Sequence, residues 1–255
     1  MRSILVPLGL ADERAYRLAL KHVYSDDTFL VSFPKSGNTW LRFLLAYALS
    51  SKEKINMRNI DEIIPDIYSA GKLADHISRP RYLKSHDPFF AYYPKCVYLV
   101  RDYRDVLVSY YHYHVALGEY KGDFTTYAES IDNLHPFGKW TDHVSGALRF
   151  AQENPGRVLV VRYEDLLNET ESTLEKILVF CSITPAMSMK EIIARSSFDE
   201  LRNNEMEEGS AFRDISHKNF FREGKIGGWK TVMTEEQSQK LVSANTAINR
   251  QLGYQ

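Results

Sequence analysis

Cysteine is scarce in this chain: of 255 residues only Cys96 and Cys181 are cysteines, and both lie in apolar runs. Two such residues make no disulfide framework, and the expectation is a pair of buried thiols in a reducing compartment. An excess of one charge is also missing, because 32 basic residues face 33 acidic ones and the net charge is −1. No global field then draws the chain to nucleic acid or to an anionic membrane, so any anion site has to be local. The opening stretch MRSILVPLGLADER is interrupted by Pro7 and Gly9. It is too short for the apolar core of a signal peptide or for the roughly 20 residues of a membrane span. A soluble, cytoplasmic protein with no transmembrane segment is expected. Internal repeats, low-complexity tracts and the GxxxxGK[ST] phosphate loop are all absent, and the last absence disfavours an ordinary P-loop kinase.

With 44% hydrophobic and 25% charged residues, the chain can bury a sizeable core as one domain, residues 1–255. Within it, 1–27 is an N-terminal segment. The stretch everything else is arranged around is FLVSFPKSGNTWLRFLLAYAL, Phe29 to Leu49. Phe29, Leu30, Val31 and Phe33 are β-formers that end at a proline, whereas Trp40, Leu41, Leu44, Leu45, Ala48 and Leu49 recur at helical spacing. The pattern predicts strand, tight loop, helix, with Asn38 or Thr39 as the helix cap. Backbone N–H groups at that helix start, the Lys35 charge, the Ser36 and Thr39 hydroxyls and the Cβ-free Gly37 suit a phosphate-like anion.

Further strands are expected in Arg81 to Pro88, which ends on a polar tip, at Cys96 to Val100, which Arg101-Asp102 ends, and at Val158 to Tyr163, which Glu164-Asp165 follows. Helices are expected over Arg104 to Leu117, Lys139 to Gln152, Glu171 to Cys181, Met187 to Ala194, Phe198 to Asn203 and Glu235 to Leu252. Strands alternating with helices imply an α/β class with a mostly parallel central sheet flanked by helices, and ligands in such sheets bind beyond the carboxyl ends of the strands. That rule gathers Lys35, His86, Arg101, and Tyr163 with Glu164 on one rim. The polar, glycine-containing segment 207–230, with Arg213, His217, Lys218, Arg222, Lys225 and Lys230, is too irregular for a helix and reads as a binding loop or lid. His112 and His114 lie two apart on a predicted helix, do not share a face, and are not read as metal ligands.

Four motifs in order resemble those of the PAPS-dependent sulfotransferases, cytosolic type, where PAPS is 3′-phosphoadenosine 5′-phosphosulfate. FPKSGNTW resembles their 5′-phosphosulfate loop, YLKSHDP the strand bearing a catalytic histidine, YLVRDYRDVLVSYYHY the 3′-phosphate segment, and FFREGKIGGWKTVMT the late nucleotide loop. The resemblance implies a P-loop nucleotide-kinase-like sulfotransferase fold, PAPS as co-substrate with PAP as product, no metal, and a small-molecule or lipid acceptor bearing a hydroxyl. It places Lys35, Ser36, Gly37, Asn38 and Thr39 on the phosphosulfate and Arg101 with Ser109 on the 3′-phosphate. Arg222, Glu223 and Gly224 fall at the late loop, Trp40, Tyr163 and Phe198 at the adenine, and Ser196 near it. His86 would be the general base, Lys84 would lie near the transferred group, Lys35 would stabilise the leaving phosphate, and Ser109 would engage that lysine. Two departures stand out. Glu223 occupies a position that is usually lysine, and the family's short dimer motif keeps Lys230 and Thr234 but not its remaining positions, so a monomer or weak homodimer is expected. The competing readings are a nucleotide-binding protein without chemistry and, more remotely, an ATP-dependent phosphotransferase.

Overall fold

The computed structural model describes residues 20, 22–130, 137–208, 221 and 224–254. Its centre is a four-stranded parallel sheet of β1 (Thr28–Ser32), β2 (Tyr82–Ser85), β3 (Lys95–Val100) and β4 (Val158–Arg162), in the order β2-β1-β3-β4. Register pairs Phe29 with Leu83 on one side and with Cys96 on the other. Because successive side chains in a strand face opposite ways, β1 feeds two cores at once. Phe29 and Val31 join Leu83, Cys96, Tyr98 and Val100 on one face, and Leu30 joins Tyr82, Val97 and Leu99 on the other. Strands buried on both faces have to be apolar nearly throughout, which is why these segments read as continuous runs.

Helices cover both faces. They are α1 (Asn38–Leu49), α2 (Gly71–Ala74), α3 (Tyr103–Ala116), α4 (Phe124–Ser130), α5 (Trp140–Glu153), α6 (Tyr163–Asn168), α7 (Thr170–Cys181), α8 (Met189–Arg195), α9 (Phe198–Glu208), α10 (Glu235–Ala244) and α11 (Thr246–Leu252). Helix α1 packs in the core that holds Leu174 and Ile177 of α7, whereas α3 packs opposite with Val144 and Ala147 of α5. The chain leaves β1 and β3 toward opposite faces, so the crevice between those two strand ends is the topological switch point of the sheet. Both cysteines are free and buried, and burial pushes the Cys181 thiol up to about 12.

Three local expectations need correction. The cap of α1 is Gly37, in the left-handed region at φ 97°, with no side-chain bond to the helix start. Asn38 cannot cap because its amide turns inward, donating to the Leu30 carbonyl at 3.0 Å and to Ser32 Oγ at 3.2 Å. Tyr163 opens α6 instead of ending β4, and the expected helix from Glu235 to Leu252 breaks at Asn245. No helix among the described residues is long and apolar enough to cross a membrane.

Candidate active site

The loop from β1 to α1 carries two residues in the left-handed region, Lys35 at φ 65° and Gly37 at φ 97°. A Cβ on Gly37 would stand 2.5 Å from Tyr163 Cδ2, so glycine is required there by space as well as by backbone angle. With a glycine cap, the first N–H groups of α1 meet no capping side chain and carry the positive end of the helix dipole. Between the two left-handed residues sits Ser36, fully buried, whose Oγ has no hydrogen-bond partner among the described residues. Asn38 Oδ1 is in the same state, and Thr39 lies on the first helical turn. A buried polar atom left without a partner is destabilising by roughly 1–3 kcal/mol, so these atoms are candidate ligand contacts.

Across the switch point, Arg101 follows β3 and donates to the Lys35 carbonyl at 3.3 Å and to the Lys225 carbonyl at 2.9 Å. Its guanidinium lies 4.4 Å from the Tyr163 ring centroid, while its Nε is buried with no partner among the described residues. The ion pair that would make it merely structural is long, 3.9 Å to Asp105, and Asp102 is taken by Arg104. Asp105 instead accepts the Gly227 and Trp229 N–H groups at 2.8 and 3.0 Å, tying the late loop to α3. Ser109 lies one helical turn beyond Asp105 on α3.

The three expected adenine contacts come together. Trp40 lies edge-on to Tyr163 at 5.8 Å and against Phe198 at 5.7 Å between ring centroids. Trp40 Nε1 donates to the Ser196 carbonyl at 2.9 Å, and Ser196 Oγ is buried with no partner among the described residues. Gly224, at φ 60°, lies so close to Phe198 that an added Cβ would stand 2.4 Å from its Cζ. Arg222 and Glu223 lie outside the described residues, as do Arg213, His217 and Lys218.

His86 follows β2, on the far side of β1. Its Nδ1 is 2.7 Å from the Ser32 carbonyl oxygen, which can only accept, so Nδ1 carries the proton and Nε2 of the neutral ring is the basic nitrogen. The ring stacks on Tyr68 at 6.2 Å and meets Phe137 edge-on at 5.5 Å. Lys84 stands 2.6 Å from Asp66 Oδ2, and burial lowers its pKa while the Asp66 carboxylate pulls the other way. Lys35 Nζ rests 4.1 Å from the Tyr113 ring centroid. His114 is engaged by the Tyr127 hydroxyl at 2.6 Å, and burial, with Lys35 nearby, holds it down to about 4. Among the described residues no cluster of His, Cys, Asp or Glu is arranged to hold a metal ion.

The residues the sequence did not announce are Ser32, Asp66, Tyr68, Asp105 and His143. Each acts through a partner at least 18 residues away in sequence, so no local motif could carry the signal.

The family model for the sulfotransferase domain matches residues 25–247. Human sulfotransferase 2B1 is 30% identical over an alignment covering 93% of this chain and 70% of that protein. The flavonol 4′-sulfotransferase of Flaveria chlorifolia is 28% identical, with 85% of this chain and 77% of the relative covered. Among solved structures, mouse sulfotransferase SULT7A1 complexed with PAP superposes with a TM-score of 0.71 over 98% of this chain and 89% of that one, at 23% identity, a likeness of fold. The chain belongs to the sulfotransferase family.

Proposed function

We propose that the chain, as one domain over 1–255, moves a sulfuryl group from PAPS to a hydroxyl of a small-molecule or lipid acceptor in the cytoplasm. The observation that carries this is the set of buried donor groups around the β1–β3 switch point that have no partner among the described residues: Ser36 Oγ, Arg101 Nε and Ser196 Oγ. Each of these groups can donate to the phosphates or base of an adenine nucleotide, and Gly37 lets the loop turn at φ 97° against the Tyr163 ring. The Gly37 cradle, the uncapped α1 terminus and Lys35 suit a phosphosulfate. Arg101, with Ser109 and the late loop of 207–230, suits a second phosphate, and Trp40, Tyr163 and Phe198 suit a purine ring.

Sulfuryl transfer is in line, so the protein's task is to position groups and to stabilise charge. His86 Nε2 takes the proton of the acceptor hydroxyl as its oxygen attacks sulfur. Lys35 stabilises the negative charge that develops on the phosphate oxygen as the S–O bond to the donor breaks. Ser109, one turn before the Tyr113 that Lys35 Nζ approaches, engages Lys35 between turnovers. Lys84 uses one of its three N–H donors on Asp66 and has the others to offer the transferred group. The aromatic surface of Tyr68 and Phe137 beside His86 suits an acceptor with an apolar body.

Incubation with radiolabelled PAPS and a panel of phenols, alcohols and glycosides tests the reading. Transfer to at least one acceptor is expected, with PAP binding by calorimetry. PAP binding without transfer would turn the chain into a nucleotide-binding protein that does no chemistry, and neither binding nor transfer would overturn the proposal.

A further inference from the structure

His143 takes no part in the chemistry above, yet it is buried and hydrogen-bonded to the main chain of the proposed base. It sits in α5 with 1% of its surface exposed, 57 residues along the chain from His86. Its Nε2 lies 2.9 Å from the His86 carbonyl oxygen and its Nδ1 2.7 Å from the Tyr98 hydroxyl. A carbonyl oxygen has no proton to give, so Nε2 must donate. Burial holds this imidazole down to about 4, so the ring is neutral at physiological pH and Nδ1 presents a lone pair. The Tyr98 hydroxyl then donates to it. The direction of every bond is fixed: Tyr98 O–H to His143, His143 N–H to the His86 carbonyl, His86 Nδ1–H to the Ser32 carbonyl.

The His86 peptide is held from both ends. Its N–H donates to the Tyr68 hydroxyl oxygen at 2.6 Å, and its C=O receives His143. Ring, donor and acceptor of one residue thus have partners on separate parts of the fold, and Tyr98 belongs to the rigid centre of the sheet. A general base works only within roughly 2.6–3.2 Å of the proton it removes, and a misplacement of about 1 Å can cost on the order of 100-fold.

We infer that His143 is a positioning residue for sulfuryl transfer, a strut that holds the His86 main chain from inside the core, with Tyr98 setting the tautomer that allows it to donate. This rests on the reading of His86 as the base. The competing account is a core histidine that satisfies two polar groups and contributes only to folding.

The two accounts separate by where the loss falls. His143→Phe keeps the volume and removes the donor. His143→Gln keeps an N–H donor that can reach the same carbonyl. Tyr98→Phe removes only the hydroxyl. With radiolabelled PAPS and the best acceptor of the panel, His143→Phe is expected to lower kcat ten- to hundredfold while PAP affinity by calorimetry stays within twofold, and His143→Gln to recover most of that loss. In a His86→Ala background, adding His143→Phe or Tyr98→Phe is expected to lower the residual rate no further, because the strut then has no base to hold. Losses that multiply in that background, a loss confined to PAP affinity, or a Tyr98→Phe enzyme with unchanged kcat would overturn the inference. Should His143→Phe not fold, Tyr98→Phe carries the same comparison. If His86→Ala itself turns over at the wild-type rate, the proposed base has failed, and the strut falls with it.

Discussion

On the β1–β3 side of the site, Ser36 Oγ, Arg101 Nε and Ser196 Oγ are buried with no hydrogen-bond partner among the described residues. On the β2 side, His86 has its N–H, its C=O and its Nδ1 all engaged, and Lys84 is paired with Asp66. The contrast follows from what each side has to do. A nucleotide arrives with its own acceptors, so the protein leaves donors and hydroxyls open to it and accepts the cost to its own stability. A base arrives with nothing, so the fold has to fix its tautomer and its aim in advance.

If that division is right, substitutions on the β2 side should strike turnover and those at the open donors of the β1–β3 side should strike binding, with Lys35, which stabilises the leaving group, the one β1-side residue expected to strike turnover. The largest effect is expected from His86→Ala, a fall in kcat on the order of 100- to 10,000-fold with PAP affinity retained. Calorimetry with PAP beside single-turnover transfer reads both quantities, and a variant that loses affinity and rate together would dissolve the contrast. Arg101→Ala is the counterpart. Removing a buried charged donor from a phosphate should weaken PAP binding roughly ten- to hundredfold, from about 1.5–3 kcal/mol, with a much smaller change in kcat at saturating PAPS.

The same division explains what the sequence made legible. The phosphate loop is local: Lys35, Ser36 and Gly37 are neighbours, and an apolar strand and an amphipathic helix frame them, so the residues can be read in one window. Four strands and the alternation with helices were legible for the same reason, since strands buried on both faces must be continuous apolar runs. The supports of His86 were not. Ser32 is 54 residues away and His143 is 57, and in sequence each is one polar residue in an ordinary strand or helix. Tyr98 is worse hidden, because a hydroxyl inside the run CVYLV reads as core. The helix cap was misread because Asn38, the residue type that caps best, spends its amide on β1, a choice made by tertiary packing and not by propensity.

A pH series sharpens the contrast from the stability side. The His143 pKa is lowered from 6.5 to about 4 by burial, so between those values the unfolded chain binds a proton that the folded chain refuses. Stability is therefore full above about pH 6.5 and falls as the pH drops, by on the order of 2 kcal/mol between pH 7 and 5 for this group. His114 adds a slope of the same sign, and burial raises the Glu164 pKa, which gives a slope of opposite sign. The test is thus the difference between wild type and His143→Gln in urea midpoints at the two pH values, with the variant expected to show the shallower loss. Equal slopes would mean that His143 carries no such penalty and is not the buried neutral donor described.

The smallest expected effect tests the boundary between the two sides. Asp105 accepts two N–H groups of the late loop and lies 3.9 Å from Arg101, so Asp105→Asn does two opposed things. Loss of the carboxylate frees Arg101 for an anion, worth about 0.2–1 kcal/mol for so long a pair. It also removes one of two hydrogen bonds to a charged acceptor, worth about 1.5–3 kcal/mol, although the amide oxygen keeps the other. The second term is larger, so PAP affinity should fall about three- to tenfold with kcat at saturation nearly unchanged. Trp229, whose N–H is one of the two donors and whose ring Arg104 covers at 4.1 Å, offers a fluorescence readout of the same loop. If affinity instead rose, the Arg101 term would have won and the loop would owe its position to contacts other than Asp105. If kcat fell with affinity intact, Asp105 would belong with the residues that govern turnover, and the line between the two sides would have to be drawn on the other side of α3.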